Sequence, residues 1–101
     1  MLRVMFVVLL TYTKPLDELD RHMREHMAFL KKGYQAKVFV ASGRQVPREG
    51  GVILARAPNR ETLTELMGLD PFVREGIATF QIIEFKTSQH DPAFAPFADV
   101  T

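Results

Sequence analysis

Residues 22 to 26 read HMREH: two imidazoles four apart with a glutamate before the second. On a helix His22 and His26 share one side, which is the ligand spacing of one zinc-hydrolase class. A catalytic zinc also needs a third protein ligand and an open fourth position. His90 is the remaining histidine and it sits near the C-terminus, so the third ligand would have to be that residue or a carboxylate. With its neighbours included, the motif divides. His22 is expected to be a solvated helix residue, with Glu25 on the polar face. His26 falls between Met23 and Leu30 and borders an apolar stripe, with Phe29 on the same side. Imidazole is readily tuned across the acid–base range by such surroundings. No metal is expected, and on position alone His26 reads first as a half-buried helix residue with a satisfied ring, with acid–base work as the alternative. Asp70 reads first as a helix cap, because Pro71 follows it and suits a first helical turn.

The elements that must hold these residues follow from periodicity. Val4 to Leu10 is a seven-residue apolar run rich in valine, as in a strand buried on both faces. Pro15 opens a helix favoured by Asp17, Glu18 and Asp20 near its N-terminus. Leu16, Leu19, Met23, Met27 and Leu30 recur at helical spacing, so the helix is predicted from Pro15 to about Ala36. Gly33 weakens its last turn by roughly 1 kcal/mol relative to alanine. Lys37 to Ser42 and Val52 to Ala57 read as a hairpin with a loop from Gly43 to Gly51. Asn59 caps a second helix carrying Leu63, Leu66 and Met67, Asp70-Pro71 opens one further turn, and Ala78 to Lys86 is the last strand. The tail from Thr87 is expected to pack without regular structure. The order β-α-β-β-α-β is the ferredoxin-like, α+β arrangement: a four-stranded antiparallel sheet with helices on one face. The first and last strands are apolar on both faces, so a second copy is expected to cover the bare side as a homodimer.

Composition narrows the function. One domain is expected from 101 residues, and 47% apolar content suits a globular core. Thirteen Lys and Arg against twelve Asp and Glu make no electrostatic case for nucleic acid or a membrane surface. The N-terminal apolar run is too short to span a bilayer, and no small-residue cleavage site follows it. A soluble, cytoplasmic protein is expected. The absence of cysteine removes thiol nucleophiles and Cys-ligated metals. Gly43, Gly50 and Gly51 do not sit in a strand–loop–helix order, so no phosphate-binding loop or cofactor is expected.

The stretches MFVVLL, HMAFL at 26–30, VFVASGRQVPREGGVILA at 38–55, DPF at 70–72 and ATFQIIEF at 78–85 together resemble the YciI-like family, the YCII-related domain. The resemblance covers residues 1 to 88, leaving 89 to 101 as a C-terminal tail. It implies a dimeric α+β barrel. The family's helical histidine lies eleven residues before the turn into the second strand, which is His26 counted back from Lys37. Its Asp-Pro-Phe/Tyr aspartate falls on Asp70, and the resemblance implies a His–Asp dyad in a cleft. Ser42, Gly43 and Arg44 stand where the family usually has Ser/Ala-Gly-Pro, and they are the implied substrate contacts. Two other positions depart from the family: Met23 stands where arginine is common, and Lys37 where glycine is common.

Two functions fit. One is a lyase, dehydrochlorinase or isomerase acting on a small cyclic or aromatic polar compound, with His26 as general acid/base and Asp70 orienting it. The other is a non-catalytic module that binds an unknown small molecule in the same pocket.

Overall fold

The computed structural model describes residues 3 to 98. Strand β1 (Val4–Tyr12) is followed by helices α1 (Leu16–Arg21) and α2 (Met23–Gln35), and by the hairpin β2 (Phe39–Arg44) and β3 (Gly50–Ala57). Helices α3 (Arg60–Met67) and α4 (Pro71–Arg74) lead to β4 (Ala78–Phe85). The strands form one antiparallel sheet in the order β2-β3-β1-β4, with β1 and β3 inside and β2 and β4 at the edges. This is the ferredoxin-like α+β fold that the element order predicts.

Alternation along the strands divides the sheet into two faces. Phe6, Val8 and Leu10 of β1 and Ile53, Ala55 and Ala57 of β3 are buried with Phe39, Leu63 and Met67 under the helices. Val7 and Leu9, paired with Leu54 and Val52, lie on the opposite face. Ile83 and Phe85 of β4 continue that face and are 41% and 38% exposed. Met5 is on the same side yet fully buried. Its cross-strand partner Arg56 donates to the Pro96 carbonyl at 3.2 Å and lies over the Phe97 ring, so the tail shelters that end of the open face. The tail is therefore ordered by these contacts, and Pro92–Phe97 forms a 3-10 helix where irregular chain was expected.

Other boundaries also differ from the sequence reading. The first helix divides at His22, whose N–H bonds the Leu19 carbonyl three residues back, a local tightening that separates α1 from α2. Strand β2 begins two residues late because Lys37 ends α2 with φ 63. Its N–H bonds the Tyr34 carbonyl and that of Val38 bonds the Gly33 carbonyl, the paired reversal of a Schellman cap. At the other end, Arg44 pairs with Gly51, which draws Gly43 and Arg44 out of the expected loop and into the sheet. Glycine is required at position 50, since a Cβ there would collide with the Leu10 backbone carbonyl. Gly33 lies inside α2 for a similar reason: the Phe39 ring occupies the place of its missing Cβ.

Candidate active site

The site begins with a four-residue helix. The Asp70 side chain caps α4 by accepting from the Phe72 N–H at 3.0 Å, with Pro71 at the first helical position. The same oxygen, Oδ1, also accepts from Nδ1 of His26 at 2.8 Å. The bond joins residues 44 apart in sequence, and Asp70 is fully buried. Its second oxygen, Oδ2, is buried with no partner among the described residues. The carboxylate's stabilisation therefore comes from two donors, one of them the imidazole. A buried carboxylate depends strongly on such donors.

That hydrogen bond assigns the imidazole tautomer. With the proton on Nδ1, the lone pair is on Nε2. The ring is pinned from its face as well: Phe72 stacks on it with centroids 4.0 Å apart and planes within 6°. Tyr12 meets Phe72 edge-on at 5.9 Å. The N-cap of α4 and one residue inside it thus fix both the tautomer and the ring plane of a histidine on α2.

His26 lines a cavity of about 290 Å³ between α2 and the β2–β3 hairpin. Leu10, Met23, Met27, Leu30, Ile53 and Phe72 make its apolar wall. Ser42, Gly43 and Arg44 line the side formed by β2, so five residues singled out from the sequence converge on one region, with Asp70 behind His26. The Ser42 hydroxyl is 2.6 Å from that of Tyr34, and either can donate. Arg48 also lines the cavity and donates to Asp20 at 2.7 Å. Donating to the Asp20 carboxylate holds the Arg48 guanidinium above its ordinary range, and Tyr12 adds to the effect.

His22 stands apart. It is half-buried rather than fully solvated, with Nδ1 3.8 Å from Glu25. Glu25 in turn accepts from Arg74 at 3.1 Å. The α1–α2 junction at His22 and the commitment of His26 Nδ1 to Asp70 give the two imidazoles different partners. Among the described residues no group of three or more His, Asp or Glu side chains is placed to hold a metal ion. No helix among them is long and apolar enough to cross a membrane.

Tyr34, Tyr12, Phe72 and the Asp20–Arg48 pair are site features that the sequence did not single out. Tyr34 and Asp20 lie on helical faces that read as solvated, and their partners come from another element. For Phe72 a signal existed, an aromatic directly after Asp70-Pro71, but its stacking partner is 46 positions away.

The sequence profile of the YCII-related domain matches residues 5–86. No curated protein sequence matches the chain. Among solved structures, the chain is similar to 5-chloro-2-hydroxyhydroquinone dehydrochlorinase (TftG) from Burkholderia phenoliruptrix AC1100, in complex with 2,5-dihydroxybenzoquinone. The TM-score is 0.71 at 14% identity, over 81% of this chain and 93% of that one. It is also similar to SnoaB, a cofactor-independent oxygenase from Streptomyces nogalater, with a TM-score of 0.52 at 17% identity over 91% of this chain and 99% of that one. At such identities the likeness is one of fold.

Proposed function

The chain belongs to the YCII-related domain family, and we propose that it is a small-molecule enzyme whose His26–Asp70 dyad performs acid–base chemistry of lyase, dehydrochlorinase or isomerase type. The observation that carries this is the 2.8 Å bond from His26 Nδ1 to a fully buried Asp70, with His26 lining an apolar cavity. Nε2 takes a proton from a substrate carbon or hydroxyl, and the Asp70 charge stabilises the imidazolium that forms. In an elimination, the C–H electron pair becomes the new double bond and the leaving group departs as an anion. His26 then releases its proton to solvent. In an isomerisation the imidazolium returns the proton to a different atom of the same molecule. The Ser42–Tyr34 hydroxyl pair supplies a donor for a substrate oxygen that gains charge, and Gly43 and Arg44 complete that side. The structurally similar dehydrochlorinase is a protein of compatible chemistry.

The test is proton exchange. Native mass spectrometry of the purified protein nominates bound compounds, and each is incubated with the protein in D₂O and followed by NMR. Wild type is expected to exchange a substrate C–H, and His26→Ala to bind the compound without exchanging it. A compound that binds well but exchanges no faster with wild type than with His26→Ala supports the binding-module reading instead.

A homodimer is part of the proposal. Val7, Leu9, Val52, Leu54, Ile83 and Phe85 lie together on the open face, Phe85 beside Met5 at the end that the tail shelters in part. A patch of this kind is the mark of an interface. Sedimentation is expected to give twice the 11.5 kDa chain mass. A monodisperse monomer at micromolar concentration contradicts it.

A further inference from the structure

The cavity wall is unbalanced in charge. Two guanidinium groups, Arg44 and Arg48, line it beside His26, and no Asp or Glu does. Arg48 is neutralised by Asp20 at 2.7 Å. Asp70 is behind the imidazole, bonded to it and removed from the cavity surface. Arg44 differs from both: among the described residues no carboxylate is ion-paired with it. Its position is fixed by register. Ser42 pairs with Ile53 and Arg44 with Gly51, so the two share the face of β2 that looks toward the helices. Gly51 opposite Arg44 has no side chain to fill the space across the strand pair. A guanidinium left without a counter-ion beside an apolar wall is a recognition group for an anion.

The geometry points to a ligand class: a single-ring compound bearing a carboxylate, with the carboxylate on Arg44 and the ring between Met23, Met27, Leu30 and Phe72. The volume of about 290 Å³ lies at the small end of ligand pockets and suits one substituted ring. A flat guanidinium offers two parallel N–H groups, the match for a carboxylate. A phosphate dianion would call for more donors, and one unpaired arginine without a glycine-rich loop does not supply them. The inference deepens the proposed function, since it places the ring against the His26 side of the cavity, but anion binding at Arg44 does not require His26 to be catalytic.

The probes are benzoate, the monohydroxybenzoates and phenylacetate, each against its neutral amide, measured by NMR titration at millimolar concentration. Wild type is expected to bind at least one carboxylate roughly tenfold more tightly than its amide, which corresponds to about 1.4 kcal/mol. Arg44→Ala should erase that preference while binding the amide as wild type does. Arg44→Lys should restore part of it, because charge is kept and the fork is lost. The acid-over-amide preference is read by titration of the wild-type protein whether or not that protein exchanges a C–H in D₂O, so failure of the dyad as a catalyst and failure of the anion site give different results. Equal binding of acid and amide, a preference that survives in Arg44→Ala, or no binding of any probe carboxylate overturns the assignment.

Discussion

Replacing Asp70 by asparagine separates the three tasks that this side chain performs. Asparagine caps a helix about as well as aspartate, so Oδ1 can keep the 3.0 Å bond from the Phe72 N–H. It can also still accept from His26 Nδ1. What changes is the other end of the group. Oδ2, buried and without a partner, becomes an amide nitrogen with two donors in the same enclosed place. An unsatisfied buried donor costs about 1–3 kcal/mol. For a domain of this size, that lowers Tm by roughly 10 °C. The fold should survive, because Phe72 and Leu19 remain packed beneath the turn. The negative charge that stabilises the imidazolium is gone, so proton exchange should fall by about 10²- to 10⁴-fold, the usual contribution of a positioned acid–base group. The assay pairs the D₂O exchange rate with the ¹⁵N shifts of the His26 ring. If the amide keeps its oxygen toward the ring, the neutral tautomer stays as it is and the rate falls for want of charge. If it turns its nitrogen toward the ring, the proton moves to Nε2 and the shifts exchange. Either outcome agrees with the dyad. A folded Asp70→Asn protein that exchanges at the wild-type rate with an unchanged ring spectrum refutes it.

Lys37→Gly should raise stability by about 1 kcal/mol, since a side chain held at φ 63 carries a penalty that glycine does not. A denaturant midpoint that stays put or drops would show that the cap is not strained. Gly33→Ala should lower the midpoint: the gain of about 1 kcal/mol in helix propensity is outweighed by an overpacking cost of about 1–3 kcal/mol against Phe39. A rise would mean that Phe39 repacks freely. Chelation should leave Tm unchanged, and purified protein should hold far less than one zinc per chain. Stoichiometric zinc lost together with stability would reinstate the two-histidine reading, because structural zinc contributes folding free energy directly.

Much of this was legible in the sequence because local rules and tertiary demands agree. The valine-rich apolar run from Val4 to Leu10 marked β1 as a strand, and Asn59 caps α3 through the 2.8 Å bond from the Thr62 N–H, as its residue type suggests. Asp70 was legible as a cap for the same reason. Its bond to His26 was not, since a cap and a dyad member have the same local pattern and differ in what arrives from α2. The family resemblance, and not the spacing, linked the two residues. The start of β2 was missed because a lysine was read as extended chain where it closes a helix with positive φ. The 3-10 turn of the tail was missed because its ordering partner, Arg56, belongs to another strand.

The two halves of the pocket sit on parts of the molecule with opposite tolerance for change. Asp70, His26 and Phe72 are buried and interlocked, so substitution at any of them costs stability. Ser42 and Arg44 lie on β2, an edge strand with one neighbour, and both side chains are exposed. Exposed substitutions of that kind usually move stability by no more than about 0.5 kcal/mol. If the proposed roles hold, a lineage can exchange one ligand for another at residues 42 to 44 while the His26–Asp70 pair stays fixed. One scaffold of this design can diversify in what it recognises far faster than in what it does.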